Sequence, residues 1–509
     1  MGHTRKRSSG NSIFRVVIVA LSFLMQIGWL LGQILLWNRY SGYILFLTYL
    51  IAAAAVLHIH SRQRNAAYKL PWIMLIMAVP ILGLSLYLIA QGSVSHRSIR
   101  RRMEKMERIT SAHLPENGQN LEKLEDRDPA AANLSRYLRH HGGSPLYSGT
   151  HTRYYGETLD ALEDLKRDLN GAESFIFMEY FILQEGEAFG QLREILERKA
   201  AQGVEVRLMY DDLGSIGTSS WRYAAQLCKC GIQCRAFNPA VPVLSLFLNN
   251  RDHRKITVID GKIGYTGGYN LADEYFHYTS PYGHWKDTGV RLEGPAVRSL
   301  TAQFLQMWNV NLRTEEEVAH YLQPQECVRA PGFVQPFGDD PLKSERVTEN
   351  VLLTLIGAAK KRIWFMTPYL MITDQLSRGL ELAAKRGVDV RILVPGIPDK
   401  RIVRTLNTSY FPGLLECGVR IFTYDPGFCH GKVCVCDGET ACIGTSNLDY
   451  RSLYLHFENN VMLYRCEAVS QAEADLEALF ESCTEIQMTQ PAALKRLWQS
   501  VLRLFAPLL

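Results

Sequence analysis

The chain has 509 residues, a formal net charge of +5, 47% apolar residues and 11 cysteines. Because a single core seldom grows far beyond ~250 residues, this length predicts more than one structural region. The small charge excess and the lack of a long basic groove argue against a nucleic-acid-binding protein. There is no CxxC pair, which argues against a zinc site, and the cysteines are expected to be reduced thiols.

Residues 1–94 are rich in apolar side chains and are predicted to form a transmembrane region with two to three helices. The apolar stretches are 12–37, 42–59 and 71–90, each near the ~20 residues that cross a bilayer as a helix, and the third is the clearest. A cleaved signal peptide is an alternative for the first stretch. It is long for that role and no A-x-A-like site follows it, so we expect an uncleaved anchor.

Residues 95–145 are predicted to be a basic juxtamembrane connector, helical or partly mobile. Its basic residues are Arg97, Arg100, Arg101, Arg102, Lys105 and Arg108. They predict a cytoplasmic catalytic region by the positive-inside rule, and they could also attract anionic lipids at ~1 kcal/mol each. Basic residues between the apolar stretches give conflicting topology signals, so the number of spans stays open.

The remainder of the chain contains an internal repeat, with half 1 at 146–325 and half 2 at 326–488. SFIFMEYFIL, GVEVRLMYDDLG, CGIQCRAFNP and DHRKITVIDGKIGYTGGYN recur in the same order as RIWFMTPYLM, GVDVRILVPG, CGVRIFTYDP and CHGKVCVCDGETACIGTSN. Apolar runs alternate with amphipathic segments, which predicts two α/β half-domains with largely parallel sheets covered by helices. We expect the halves to pack about a pseudo-twofold axis.

The last segment, 489–509, is predicted to be an amphipathic helix. One face carries Leu494, Leu497, Trp498, Val501, Leu502 and Phe505. This face could lie on a membrane surface or pack on the protein, and the pattern favours neither.

Each half contains one HxKxxxxD motif: His253, Lys255 and Asp260 in half 1, and His430, Lys432 and Asp437 in half 2. Residues two apart on a strand share a face, so each His and Lys should point to the same site, with the Asp at the turn that follows. One match would be weak, but two at corresponding places in a repeat are strong.

The chain resembles the phospholipase D superfamily, and within it the bacterial cardiolipin synthases. The resemblance is carried by HRKITVIDGKIGYTGGYN, YGHWKDTG and HGKVCVCDGETACIGTSNLDYRS, and also by YDDLG, AYKLPWIMLIMAVPILGLSLYL and the closing FAPLL. It covers nearly the whole chain. It implies an integral-membrane phosphatidyltransferase that works through a phosphohistidine, without metal or another cofactor.

The resemblance also implies a role for each site residue. One imidazole would attack phosphorus and the other would act as acid and base, while both lysines meet the phosphoryl oxygens. Phosphate-binding or supporting residues would be Asn270, Ser446, Asn447, Asp287 and Glu458. Within this set, Asp287 would orient His253 and Glu458 would orient His430, whereas Asp260 and Asp437 are expected to hold loops.

The predicted reaction transfers a phosphatidyl group from one phosphatidylglycerol to another, giving cardiolipin and glycerol. Alternatives are a membrane-bound phospholipase D that hydrolyses phospholipid and a non-catalytic lipid-binding scaffold. The expected partners are phosphatidylglycerol and anionic membrane lipids, and the expected location is the cell membrane.

Overall fold

The computed structural model describes residues 20–32, 41–62, 65–91, 94–114, 118–216, 221–238, 250–312, 318–488 and 492–508. The chain divides into two compact units. The first contains residues 1–98, 240–250 and 497–509, and the second contains residues 99–239 and 251–496. Both ends of the first predicted span, 12–37, lie outside the described residues.

The described part of the first unit includes helices α1 (Ala20–Gly32), α2 (Ser41–Ser61), α3 (Ala66–Ala78) and α4 (Pro80–Gln91). Among the described residues, only α2 is long and apolar enough to cross a membrane. Its candidate span is Gly42–Ser61, with a mean hydropathy of 2.0 and 11% of the tested window buried. The structure therefore supports one span and leaves the predicted multi-pass arrangement as a prediction.

The prediction that 71–90 forms one span is wrong, because this stretch is two short helices. Val79 leaves the helical conformation with φ −136° and ψ 79°. Pro80 follows it, and proline disfavours helical backbone at the residue before it. The chain then folds back so closely that a Cβ on Gly83 would lie 2.7 Å from the Leu75 carbonyl oxygen.

The second unit contains two large sheets and two short strand pairs. In chain order its strands are β1 (His151–Tyr155), β2 (Phe175–Tyr180), β3 (Glu205–Asp211), β4 (Gln233–Phe237), β5 (Ile256–Ile259), β6 (Ile263–Gly267), β7 (His284–Lys286), β8 (Gly289–Glu293), β9 (Phe333–Asp339), β10 (Arg362–Met366), β11 (Leu370–Met371), β12 (Asp389–Pro395), β13 (Arg420–Tyr424), β14 (Gly427–Cys429), β15 (Val433–Cys436), β16 (Thr440–Gly444), β17 (Leu448–Asp449), β18 (Glu458–Tyr464) and β19 (Thr484–Glu485).

The two large sheets have matching strand orders. The first is β1-β8-β6-β5-β2-β3-β4 and the second is β19-β13-β12-β10-β15-β16-β18-β9. When the second order is reversed, β9, β18, β16, β15, β10, β12 and β13 correspond to the seven strands of the first. The predicted pair of α/β halves is therefore present, with β19 as an extra edge strand.

The prediction of largely parallel sheets is wrong. In each sheet only the three strands before the motif are parallel: β2, β3 and β4 in the first, and β10, β12 and β13 in the second. The motif strands β5 and β15 pair antiparallel with both neighbours. The reason is local, because the three-residue turn from β5 to β6 can join only antiparallel strands, whereas parallel strands need a long crossover.

From the connector onward the described α-helices are α5 (Val94–Ser111), α6 (Gly118–Glu125), α7 (Pro129–His141), α8 (Thr158–Asn170), α9 (Glu187–Ala201), α10 (Trp221–Lys229), α11 (Val297–Leu312), α12 (Val347–Ala358), α13 (Asp374–Lys385), α14 (Arg401–Asn407), α15 (Phe411–Glu416), α16 (Tyr450–Tyr454), α17 (Glu467–Ser482) and α18 (Ala493–Phe505). Helices α9 and α11 pack on the first large sheet, and α12 and α13 pack on the second. Each half has its own buried core, in which Phe189 and Tyr265 represent half 1, and Phe365 and Ile392 represent half 2.

The connector is more ordered than a mobile linker. Asp128 caps α7 by accepting the backbone N–H groups of Ala130 and Ala131. Leu134 and Leu138 of the same helix are buried in the core of half 2. Its basic helix α5 keeps Arg100, Arg101, Lys105 and Arg108 exposed.

Candidate active site

Both motif histidines lie in the short segments that lead into β5 and β15, and each segment is hydrogen-bonded to the opposite half. The N–H of His253 donates to the Phe457 carbonyl at 2.9 Å, and the N–H of His430 donates to the Lys286 carbonyl at 2.6 Å. A β-bridge joins Asp252 to Phe457, and β14 pairs in parallel with β7. The duplicated motifs therefore lie at the junction of the halves.

The carboxylate that contacts each imidazole comes from the other half. Nδ1 of His253 lies 2.9 Å and 3.0 Å from the two oxygens of Glu458, and Nδ1 of His430 lies 2.6 Å from Oδ2 of Asp287. The pairing expected from the resemblance, Asp287 with His253 and Glu458 with His430, is therefore wrong. The strand pairing explains why each histidine contacts the carboxylate of the other half. Strand β7, which precedes Asp287, pairs with the segment before His430, and Phe457, which precedes Glu458, pairs with Asp252.

Both carboxylates are buried and held by further contacts. Glu458 accepts a hydrogen bond from the Thr445 hydroxyl, and Asp287 accepts the N–H of Thr288 at 2.8 Å. Asp287 packs directly on Gly268, where a Cβ would lie 2.0 Å from Oδ1. Glycine at position 268 is therefore required by the close approach of this carboxylate.

Each motif lysine folds back onto the histidine of its own motif. Lys255 Nζ donates to the His253 carbonyl at 2.7 Å, and Lys432 Nζ donates to the His430 carbonyl and lies 2.8 Å from its Nδ1. The predicted shared face of His and Lys is confirmed. The buried ammonium groups place positive charge next to both imidazoles.

Burial controls the protonation of these groups. Burial, with the charge of Lys432 adding to it, lowers the pKa of His430 to about 4, and burial lowers the pKa of His253 well below its ordinary value. Burial, followed by the charge of Lys432, lowers the pKa of Lys255 to about 7. Burial also lowers the pKa of Lys432, to about 8. The imidazoles are thus neutral at neutral pH, which is the form that a nucleophile needs.

The two carboxylates have opposite shifts. Burial alone would raise the pKa of Asp287, but His430 and Lys432 outweigh it and hold this carboxyl below its ordinary value. Burial raises the pKa of Glu458 well above the ordinary value, although Lys255 opposes it. The arrangement is therefore electrostatically asymmetric despite its similar geometry.

Asp260 and Asp437 hold loops, in agreement with the expectation from the resemblance. Asp260 accepts the N–H groups of Glu173, Ser174 and Phe175 at 2.7–2.8 Å, and Asp437 accepts those of Lys360, Lys361 and Arg362 at 2.8–2.9 Å. Both have left-handed backbone, with φ of +53° and +52°.

These contacts hold the first residues of β2 and β10 next to the motif strands. At ~3.3 Å per residue, each Asp lies at the far end of its motif strand, roughly 16 Å from the lysine. These hydrogen bonds give Asp260 and Asp437 a positioning role.

The three predicted phosphate donors have protein partners. Asn270 accepts the Ile182 N–H at 3.0 Å and donates to the Tyr275 hydroxyl at 2.7 Å. Asn447 donates to Asp449 at 3.2 Å, and the hydroxyl of Ser446 accepts from Asn460 at 2.8 Å. A role in binding phosphate stays a prediction for all three.

Aromatic side chains flank both imidazoles, and the motif search did not identify them. The rings of Phe181 and His456 lie 5.0 Å and 5.3 Å from that of His253, and those of Tyr275 and Trp285 each lie 5.4 Å from that of His430. His456 and Trp285 stand within two residues of the supporting carboxylates, a proximity that could have identified them.

Two buried ion pairs hold the first motif in place. Arg251 donates to Asp211 at 2.6 Å, and Arg254 donates to Glu179 at 2.5 Å. Asp211 also accepts the N–H of Asp252 at 3.0 Å. The sequence signal was present, because Glu179 is the one charged residue of the fully buried strand β2, and Asp211 belongs to YDDLG.

Among the described residues, two groups of side chains could hold a metal ion. One is His253, His456 and Glu458, which shares the candidate active site, and the other is Glu157, His277 and His284.

The model of the family described as "Cardiolipin synthase, PLD-like domain" matches residues 165–308 and 352–480, together more than half of the chain. The chain belongs to this family. Its members are phosphatidyltransferases of the phospholipase D superfamily. A second model, "Phospholipase_D-nuclease N-terminal", matches residues 49–92.

Individual relatives agree with this assignment. A cardiolipin synthase of Alkalihalophilus pseudofirmus is 35% identical over 88% of this chain and 90% of its own, and one of Geobacillus kaustophilus is 33% identical over 99% and 100%. The crystal structure of phosphatidylserine synthase from Haemophilus influenzae shares the fold, with a TM-score of 0.56 and 14% identity over 74% of this chain and 97% of that chain.

Proposed function

We propose that this member of the cardiolipin synthase family transfers a phosphatidyl group from one phosphatidylglycerol to another, giving cardiolipin and glycerol. The observation that carries the proposal is the pair of buried imidazoles, each contacting a carboxylate of the other half at 2.6–3.0 Å. With Nδ1 held by a carboxylate, Nε2 of either ring is free to act on a substrate.

The reaction has two steps. In the first, Nε2 of one imidazole attacks phosphorus, a P–N bond forms, and the bond from phosphorus to the glycerol headgroup oxygen breaks. The bound phosphodiester is an anion and raises the pKa of the other imidazole, which takes up a proton and gives it to that oxygen. In the second step a hydroxyl of another phosphatidylglycerol loses its proton to this imidazole and attacks phosphorus, and the P–N bond breaks.

Lys255 and Lys432 supply the positive charge for the phosphoryl oxygens. Both are buried, so their attraction for an anionic phosphate is stronger than it would be in water. A bound phosphodiester would raise both lysine pKa values and favour the charged forms.

We place the enzyme at the cell membrane, with phosphatidylglycerol and anionic lipids as partners and the catalytic unit on the cytoplasmic side. The exposed basic residues of α5 and the apolar helix α2 support this placement. The exposed face of α18 supports it as well, because Leu494, Leu497 and Trp498 are 79%, 63% and 55% exposed.

The test supplies phosphatidylglycerol vesicles to the full chain in detergent and measures cardiolipin, glycerol and phosphatidic acid. Cardiolipin and glycerol in equal amounts are the expected products, whereas phosphatidic acid alone would indicate a phospholipase D. His253→Ala and His430→Ala should each lower turnover by at least ~10²–10⁴-fold, with His151→Ala as the matched control. No product from the wild type would refute the function, and full activity in either motif variant would refute the mechanism.

The nucleophile is found by quenching the reaction with radiolabelled substrate and locating the adduct. The label should lie on either His253 or His430, and the variant that lacks the labelled histidine should form no adduct. A label on neither ring would exclude the phosphohistidine.

A further inference from the structure

Glu157, His277 and His284 form a side-chain cluster away from the catalytic histidines. Glu157 lies between β1 and α8, His277 follows a 3-10 helix at Asp273–Phe276, and His284 begins β7. Oε2 of Glu157 lies 3.7 Å from Nε2 of His277 and 3.8 Å from Nε2 of His284. The three atoms all lie within 4.8 Å of one another.

These separations are close to those of a bound metal ion. Zinc bonds of 2.0–2.2 Å in tetrahedral geometry place ligand atoms ~3.4 Å apart. The separations of Glu157 from the two histidines would need to shorten by only a few tenths of an ångström. Two imidazoles and one carboxylate also form a common ligand set for zinc that leaves the fourth position to water.

The hydrogen bonding of the two imidazoles leaves Nε2 of each ring available to an ion. The Tyr424 hydroxyl lies 2.7 Å from Nδ1 of His284, so it can accept the Nδ1–H and leave the Nε2 lone pair free, as for metal-bound histidines. Nε2 of His277 is buried and has no hydrogen-bond partner within the described part of the chain. His277 has a left-handed backbone, with φ of +60°, and its ring stacks on that of His284 at 4.4 Å.

The local charges permit a cation. The other oxygen of Glu157 lies 3.6 Å from Nζ of Lys286, but that ammonium group is also paired with Asp475 at 2.8 Å. Burial, with His277 adding to it, lowers the pKa of His284, which favours the neutral ligand form. Glu157 and His284 are 51% and 39% exposed, so an ion and its water can enter from solvent.

We propose that Glu157, His277 and His284 bind one divalent transition-metal ion of the zinc class, with water as the fourth ligand. The ion ties the loop before α8 to the first residue of β7. Asp287, which supports His430, follows His284 by three residues, so the ion stabilises the strand that delivers this carboxylate. The site is independent of the proposed reaction, because no ligand of the ion contacts a motif histidine.

The experiment titrates zinc into the full chain, purified in detergent through a tag without histidine, and measures the binding heat. Cobalt(II) absorption reports the ligand geometry. One equivalent of zinc and the ligand-field bands of four-coordinate cobalt are expected. His277→Ala and His284→Ala should abolish both signals, and Tyr424→Phe should weaken binding by about 10–100-fold.

His151→Ala is the matched control, since His151 is also partly exposed and lies 3.5 Å from a glutamate, Glu467, but has no third ligand. It should bind zinc like the wild type. Thermal unfolding without metal shows whether each variant is folded. If an alanine variant does not fold, His277→Asn is tested in its place. Absence of zinc binding by the wild type, or binding that survives both histidine variants, would overturn the proposal. Binding lost in His456→Ala instead would place the ion in the active site and overturn it too.

Discussion

Glu458 lies in half 2 and contacts Nδ1 of His253 in half 1, at a sequence separation of 205 residues. The reciprocal contact joins Asp287 of half 1 to His430 of half 2. Each imidazole is therefore oriented by the opposite half, so neither half alone contains a complete histidine and carboxylate pair. This exchange predicts that the halves depend on each other for catalysis.

The crossed pairing can be measured by double-mutant cycles on thermal stability. We expect Glu458→Gln to couple to His253→Ala by ~0.5–3 kcal/mol and to add to His430→Ala without coupling, because only groups in contact share an interaction energy. Asp287→Asn should couple to His430→Ala and add to His253→Ala without coupling. Unfolding temperatures of the single and double variants in detergent supply the cycles. Coupling of Glu458 to His430 in place of His253 would contradict the structure.

Substitutions of Asp260 should lower the stability of the fold without removing a catalytic group. Asp260→Ala removes the acceptor of three backbone N–H groups and places alanine at φ +53°, so we expect a loss of about 2 kcal/mol. Asp260→Asn should lose less, because asparagine tolerates this backbone and keeps one acceptor oxygen. Thermal unfolding measures both. If the folded Asn variant lost activity as fully as His253→Ala, Asp260 would have a direct chemical role.

Buried His430 predicts a loss of stability in mild acid. Its pKa is about 4 in the folded chain and near 6.5 in the unfolded one, so the unfolded state binds more protons between these values. Stability should fall as the pH drops from 6.5 to 4, by at most ~3 kcal/mol from this residue. Unfolding temperatures of the wild type and His430→Asn across this range test it. The variant should have a shallower slope, while His151→Asn should match the wild type, and equal slopes in all three would reject the assignment.

The exposed apolar face of α18 predicts binding to a lipid surface. Trp498→Glu together with Leu494→Glu should reduce vesicle association of the full chain without lowering its unfolding temperature, because both side chains are more than half exposed. Vesicle flotation measures the association. Leu382→Glu, at a residue that is 60% exposed on α13, is the matched control. Equal flotation of the α18 variant and the control would mean that this face binds no lipid.

Local features of the sequence predicted much of the site. The two HxKxxxxD motifs, the strands β5 and β15 that directly follow their lysines, and the turns at Asp260 and Asp437 all depend on residues within about five positions of one another. Alternation along extended backbone was therefore enough to predict that His253 and Lys255 share a face. The apolar length of 42–59 likewise predicted the helix that is long enough to span a membrane.

Only the tertiary structure decided which carboxylate supports which histidine. Asp287 and Glu458 could be identified from the sequence, but a hydrogen bond between distant segments depends on which strands lie side by side. That arrangement follows from the pairing of β7 with β14 and of Asp252 with Phe457, which join the halves. The cluster of Glu157, His277 and His284 also arises from strand placement, since no spacing in the chain brings these three side chains together.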